Sequence, residues 1–463
     1  QQARESGSAP KQPDFSGLKA EVRKAMEQYQ VPGVAVGIWT GGQEQVAGFG
    51  VTSVEHPLEV TPDTLFQIGS ITKTVVATAA MRLVEQGKLN LDTPVQTYVP
   101  DLQLADESAA RQVTLRHLFS HTAGWLGDYF DDLGPGDDAL TKIVAKMAAL
   151  PQITPLGEIW SYNNAGFYLA GRVLEVVSGQ SFETVIQDLV LDPLGMTMSF
   201  FFANDVITHR VAIGHENPHD EGNRPRIARP WALPRAAHAA GGITSTVGDQ
   251  LRYARFHMRD GTAADGSCVL TPQSIALMQT PVVAADSGQL SGLSWFLRDA
   301  GGVRLVRHGG ATNGQAAVLL MAPAHNFALS VLTNADAGSQ LIRDLSRWAL
   351  QQYLGIAEPE PTMRPASADD LAPYTGHYDA AATSADLRVE DGGLVLQMTP
   401  KGGFPTPDSP ASAPPPPMRT VLCGEDEIVV LDDPMRDTRG QFLRDPAGQI
   451  AWLRIGGRIH KRV

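Results

Sequence analysis

The two ends of this chain mirror each other, and that restricts its fold more than any other feature. An amphipathic stretch from Ser16 to Tyr29 sets Ala20, Val22, Ala25, Met26 and Tyr29 on or near one face, with Ser16 as its N-cap; strand-like Val34-Ala35-Val36-Gly37-Ile38-Trp39 follows. Far downstream the order reverses. Ala317 to Met321 and Phe327 to Thr333 read as a hairpin around Ala322-Pro323-Ala324-His325-Asn326, and a helix from Gln340 to Tyr353 carries the stripe Leu341, Leu345, Trp348, Ala349 and Tyr353. The pattern predicts an α+β fold: one mainly antiparallel sheet built from both ends and flanked by helices, with a largely helical region inserted between.

The insertion opens on Phe66-Gln67-Ile68-Gly69-Ser70-Ile71-Thr72-Lys73, which puts a serine and a lysine one turn apart at the start of an apolar helix (Val75, Val76, Ala79, Ala80, Leu83, Val84). Backbone N–H groups and the positive end of the helix dipole concentrate at such a start, so Ser70 can attack a carbonyl where negative charge is welcome. Lys73 can take the serine proton only when neutral, which requires burial or a positive field. Spacing alone proves little. Ser8 to Lys11 and Ser16 to Lys19 match too, in a Pro-containing terminus and a surface helix, and a plain buried helix is the other reading of residues 70 to 84. Trp160-Ser161-Tyr162-Asn163-Asn164-Ala165-Gly166 adds a phenol and an amide two residues apart, before a helical run from Phe167 to Val177. Tyr162 can relay a proton and Asn164 can hold a substrate amide; equally, Asn164 fits an N-cap and Tyr162 a half-buried aromatic. Val303 to Ala311 reads as a strand ending in His308-Gly309-Gly310, where glycine permits close approach to the backbone or simply a bulge.

Taken in this order, Ser70-x-x-Lys73, Tyr162-Asn163-Asn164 and His308-Gly309-Gly310 resemble the penicillin-recognising serine hydrolases, in the branch of class C β-lactamases, D-alanyl-D-alanine carboxypeptidases, D-aminopeptidases and related esterases, a peptidase S12-like group. Leu118-Phe119-Ser120-His121-Thr122-Ala123-Gly124, Pro193-Leu194-Gly195-Met196, and Ala240-Gly241-Gly242-Ile243 followed by Asp249 add to the likeness, which covers roughly residues 15 to 355. The resemblance implies a β-lactamase/transpeptidase-like fold with the three motifs meeting where sheet and insertion join. It implies Ser70 as acylated nucleophile, Lys73 and Tyr162 sharing proton transfer, and Asn164 at the substrate amide. The N–H groups of Ser70 and Ala311 would form the oxyanion hole, with His308, Gly309 and Gly310 along the substrate. His308 stands where class C β-lactamases carry lysine, and a largely neutral histidine attracts a substrate carboxylate less than a permanent cation does. The expected reaction is therefore acyl-enzyme hydrolysis of a small amide, such as a D-aminoacyl peptide or β-lactam. The alternatives are a carboxylesterase acting on small esters and, outside enzymes, a penicillin-recognising sensor or binding protein.

Other chemistries leave little trace. No G-x-S-x-G or G-x-x-x-x-G-K-[ST] occurs, and His117 and His121 stand four apart without a pattern to complete a metal site. No cofactor or metal is implied. With 37 basic against 50 acidic residues, a net charge of −13 and no basic stripe, the chain is not expected to bind nucleic acid; a small molecule or short peptide is the expected partner. No apolar run reaches membrane-spanning length, oligomeric state is left open, and Cys268 and Cys423 form no disulfide framework. The start at Gln1-Gln2-Ala3 fits removal of an export signal or a chosen chain boundary; a periplasmic or extracellular place is the expectation, with the cytoplasm open.

The predicted organisation is a disordered tail (1–14), a hydrolase domain (15–355), a linker (356–369) containing Glu358-Pro359-Glu360-Pro361, and a C-terminal all-β module (370–463). In the module, Leu394 to Met398, Val421-Leu422, Ile428 to Leu431, Gln441 to Leu443 and Ile450 to Ile455 read as strands of a small barrel, broken by a flexible proline-dense loop, Pro405 to Pro417. Tyr374-Thr375-Gly376-His377-Tyr378 resembles the opening of lipocalin-like modules. The barrel carries no catalytic pattern and is expected to pack on the hydrolase or narrow its cleft. In the acidic stretch 124 to 157, Trp125 is a candidate pocket residue, as is Trp160. Asp128, Asp131 and Asp132 read either as attractors of a substrate amine or as a solvated loop, with Asp137 or Asp138 capping a helix from Ala139 to Leu150.

Overall fold

In the computed structural model, which describes residues 15–217, 224–286, 288–357 and 362–463, the mirrored ends come together in one eight-stranded antiparallel sheet. The expected disordered tail (1–14) and the linker residues Glu358 to Pro361 lie outside the described residues. The strands run in the spatial order Gln43–Gly50, Gly33–Thr40, Phe327–Thr333, Gln315–Ala322, Val303–Thr312, Phe296–Ala300, Leu290–Ser291, Val283–Ala284. Val34 pairs with Thr333 and Val318 with Val331, so N- and C-terminal segments form the centre of the sheet.

The central strands are apolar along their whole length because both faces are covered. Val34, Val36, Ile38, Val318 and Leu320 face a core shared with Leu18, Val22, Leu341 and Leu345 of the helices Phe15–Tyr29 and Gly338–Leu354. The alternate residues, Ala35, Trp39, Ala317, Leu319 and Met321, join the larger core under the inserted helices. The two terminal helices touch directly, with the Tyr29 hydroxyl donating to Asp344 at 2.5 Å. Ser16 falls inside the first helical turn rather than before it. The helix after Asp138 is α-helical only to Ala145, and the Asp138 carboxylate pairs with Lys142 instead of capping.

The C-terminal segment closes into an eight-stranded barrel, Gly376–Asp379, Thr383–Glu390, Gly393–Pro400, Met418–Gly424, Glu427–Val430, Arg439–Arg444, Ile450–Ile455 and Arg458–Arg462. Tyr378 pairs with Arg462 to close it, around a core that includes Tyr378, Leu387, Leu396, Met418, Phe442 and Leu453. The strands on either side of the closure were not expected from the sequence, since Arg458-Ile459-His460-Lys461-Arg462 carries too many charges to read as a barrel strand. The proline-dense loop is tied near both ends: Phe404, just before it, packs edge-on against Phe130 of the insertion with ring centres 4.9 Å apart, and the Pro415 carbonyl accepts from Gln397 Nε2 at 2.9 Å.

Candidate active site

Two glycines let a strand end lie against a helix start. Gly69 has φ of 50°, and a Cβ there would sit 2.7 Å from the backbone nitrogen of Ala311. A Cβ on Gly310 would come within 1.9 Å of the Ile68 carbonyl oxygen and 3.1 Å of the Ser70 nitrogen. With both side chains absent, the short turn Gly69–Ile71 packs on the strand Val303–Thr312, so that the Gly310–Ala311 backbone abuts that of Ile68 to Ser70.

Lys73 starts the helix Thr72–Glu85 and is wholly buried. Its Nζ stands 3.0 Å from Ser70 Oγ and donates to the Ala240 carbonyl at 2.5 Å. No ion pair to a carboxylate is formed by Lys73 among the described residues. Burial, with the positive charge of Arg458 second, holds its pKa well below the usual lysine range, while Asp128 opposes. Burial pushes the Tyr162 pKa up, with the nearby Ser70 hydroxyl opposing, so the phenol rests protonated. Its ring lies 5.0 Å from Lys73 Nζ and stacks on the His121 imidazole at 4.4 Å. Serine, lysine and tyrosine therefore share one pocket, as the motifs require.

Asn164 begins the helix Ala165–Ser178, but its side chain makes no cap; Nδ2 donates to Asp128 Oδ1 at 2.6 Å, and the residue lines the cleft. His308 is buried, donates from Nδ1 to the Gly309 carbonyl at 2.5 Å, and its pKa is lowered to about 3 by burial and by Lys73. It is a neutral imidazole at pH 7. Gly309 and Gly310 line the cleft beside it. Trp125 does not: it belongs to the core under the inserted helices, where its carbonyl accepts from Asn163 Nδ2 at 2.8 Å. A large apolar ring next to a tightly bonded loop is better served there than in a wet cleft. Trp160 is likewise buried, edge-on to His121. His117 closes a capping box with Thr114, and His121 Nδ1 accepts from the Asn163 backbone at 3.0 Å, so each has a structural partner.

The sequence reading missed Arg458. It enters the cleft from the barrel, and its guanidinium pairs with Asp128 through Nε to Oδ2 at 3.0 Å and Nη2 to Oδ1 at 3.3 Å. Its Cζ lies 4.6 Å from the centre of the Tyr162 ring. Burial alone would raise the Asp128 pKa, but Arg458 and the Asn164 amide hold it below the ordinary carboxylate range. The only sequence signal was Gly456-Gly457, a two-residue hairpin turn with φ of 58° and 80° that aims the next residue. The whole site opens into a cleft of about 770 Å³, walled by Ser70, Tyr162 and Asn164 on one side and by barrel residues such as Met398, Phe404 and Arg458 on the other.

The sequence model of the family described as Beta-lactamase matches residues 18–353. The chain belongs to the beta-lactamase family. Within it, the chain is 35% identical to penicillin-binding protein 4 of Amycolatopsis lactamdurans over 360 residues, covering 76% of this chain and 94% of that protein. It also resembles the structure of SurE, with a TM-score of 0.75 and 26% identity across 97% of this chain and 99% of SurE. A class C beta-lactamase from Rhodobacter sphaeroides matches in fold at a TM-score of 0.59 and 23% identity, covering 72% of this chain and 99% of that one. Membership of the beta-lactamase family, with these neighbours, makes the protein a serine hydrolase.

Proposed function

We propose that the protein cleaves small amides, D-aminoacyl peptides or β-lactams, through an acyl-enzyme on Ser70. The observation that carries this is Lys73: a fully buried amine 3.0 Å from a serine hydroxyl, with no carboxylate ion pair among the described residues. An unpaired buried lysine is costly in a protein that has no use for a neutral amine. In the reaction Lys73 takes the proton of Ser70 as Oγ attacks the carbonyl carbon, and the oxyanion is received by the N–H groups of Ser70 and Ala311. Tyr162, protonated at rest, hands its proton to the leaving nitrogen and is replenished from Lys73; the reverse transfers activate water for deacylation. Asn164 and Gly309, which line the cleft, hold the amide backbone of the acyl portion in this reading.

Two features favour an amide over an ester. Asn164 lines the cleft and makes no helix cap, its Nδ2 being held by Asp128, and SurE, similar over nearly the full chain, has been solved with D-Leu. His308, neutral at pH 7, weakens the case for fast β-lactam turnover and leaves a D-aminoacyl peptide as first choice. The test has two arms. Intact mass after exposure to a fluorophosphonate or penicillin, beside Ser70→Ala, should rise only for the unmodified protein. Turnover of D-alanyl p-nitroanilide and nitrocefin is then compared with that of short p-nitrophenyl esters; ester cleavage with neither amide touched would overturn the amide reading in favour of a carboxylesterase.

A further inference from the structure

The family match ends at residue 353, yet the cleft is completed by a residue more than a hundred positions later. The turn between the last two barrel strands is fastened to the segment that carries Tyr162. The Tyr162 backbone N–H donates to the Gly457 carbonyl at 2.8 Å, the Ile459 N–H donates to Ser161 Oγ at 3.3 Å, and Arg454 Nη1 donates to the Trp160 carbonyl at 3.3 Å. A Cβ on Gly457 would lie 3.6 Å from the Trp160 ring and from Tyr162 Cβ, so the turn also packs against both side chains. Arg458 follows this turn and is held by the Asp128 fork against the Tyr162 ring.

We propose that Arg458 is a positioning residue of the active site: delivered by the barrel and held by Asp128, its guanidinium fixes the Tyr162 ring in the pocket that Tyr162 shares with Lys73. The inference rests on the acyl-enzyme reading above. The charge is balanced, not free. Around Lys73 and Tyr162 stand Asp128 from the loop after Trp125, Arg458 from the barrel, His121 and His308 as neutral imidazoles, Arg307 on the strand before the glycines, and Asp286 near the hairpin turn, facing Arg454, Gly457 and Arg458. Of these, Arg458 and Asp128 act on Lys73 with opposite sign. The barrel thereby becomes part of the catalytic apparatus rather than a lid alone.

Opposite signs give the test. The rate of Ser70 labelling by a fluorophosphonate is followed against pH in the full chain for the unmodified protein, Arg458→Gln, Arg458→Lys and Asp128→Asn, with thermal unfolding measured on each. Because Lys73 works as the neutral amine, labelling falls on the acidic side of its titration. Arg458→Gln removes a positive neighbour and should move that acidic limb upward by about one pH unit, with labelling on the acidic limb slowed by up to about 10-fold. Asp128→Asn removes the opposing charge and should move the limb downward, and Arg458→Lys should keep it near its original position while losing the fork. A merely structural role would lower the unfolding temperature and labelling of Gln and Asn variants together without moving the limbs apart; limbs that stay put, or shift the same way, overturn the proposal. Absence of Ser70 labelling in the unmodified protein would overturn the acyl-enzyme reading and this one with it, whereas labelling with unmoved limbs overturns this one alone.

Discussion

Lys73 shows what a single residue gives up for reactivity. Burial lowers its pKa well below the value it has in the unfolded chain, so the unfolded chain binds a proton that the folded one sheds. Folding is thereby disfavoured at neutral pH, and the loss fades as pH rises toward the ordinary lysine range. Lys73→Met should slow acylation by roughly 10²- to 10⁴-fold, the usual worth of positioned proton transfer, and yet raise stability at pH 7, with the gain shrinking by pH 10. Urea unfolding at the two pH values checks the second part; a loss of stability at pH 7 would contradict it. Gly310 makes the complementary point about geometry. A Cβ within 1.9 Å of the Ile68 carbonyl must push the strand off the Ser70 turn, so Gly310→Val should cut fluorophosphonate labelling by more than 10-fold while far-ultraviolet dichroism stays close to that of the parent.

At the scale of elements, the parts that were legible in the sequence are those whose pattern follows from burial on their own. Gln315–Ala322 and Phe327–Thr333 are buried throughout because helices cover both sheet faces, and unbroken apolar runs advertise that. The helix Gly338–Leu354 repeats Leu341, Leu345 and Ala349 on its core face for the same reason. Leu345→Ala, which empties space between helix and sheet without nearing the cleft, should cost about 2–5 kcal/mol in urea unfolding and leave labelling of the folded fraction unchanged. Among site residues, Ser70, Lys73, Tyr162, Asn164 and His308 could be picked out because each has chemically telling neighbours within three positions. Arg458 could not: what makes it special is Asp128, 330 positions away, and no local spacing encodes a contact made by docking two bodies. Trp125 misled for the converse reason, since a tryptophan in an acidic loop looks the same whether its ring faces core or cleft.

The molecule as a whole carries neutral histidines in each of its parts. His257 lies among the inserted helices, His308 at the cleft and His460 in the barrel, with pKa values lowered by burial to about 3, about 3 and about 4. Each is depressed in the folded state, so the unfolded chain takes up protons first on acidification. Their contribution is fully present above pH 6.5 or so and drains away as pH falls toward 3. Glu183, lowered to about 2 by its bonds to His238 and Arg235 despite burial, adds to the loss below pH 4.5. Urea midpoints should fall steadily from pH 6.5 to pH 4; constant midpoints over that interval would refute the assignment of neutral buried imidazoles.

The proline-dense loop, anchored through Phe404 on Phe130, forms one lip of the substrate entrance while Ser70 and its neighbours form the floor. Floor and lip are encoded by separate stretches of gene. Changes in residues 405 to 417 can thus retune which acyl or leaving groups are admitted while the reacting atoms stay where they are, so new substrate preferences in this lineage are open to single-loop exchange.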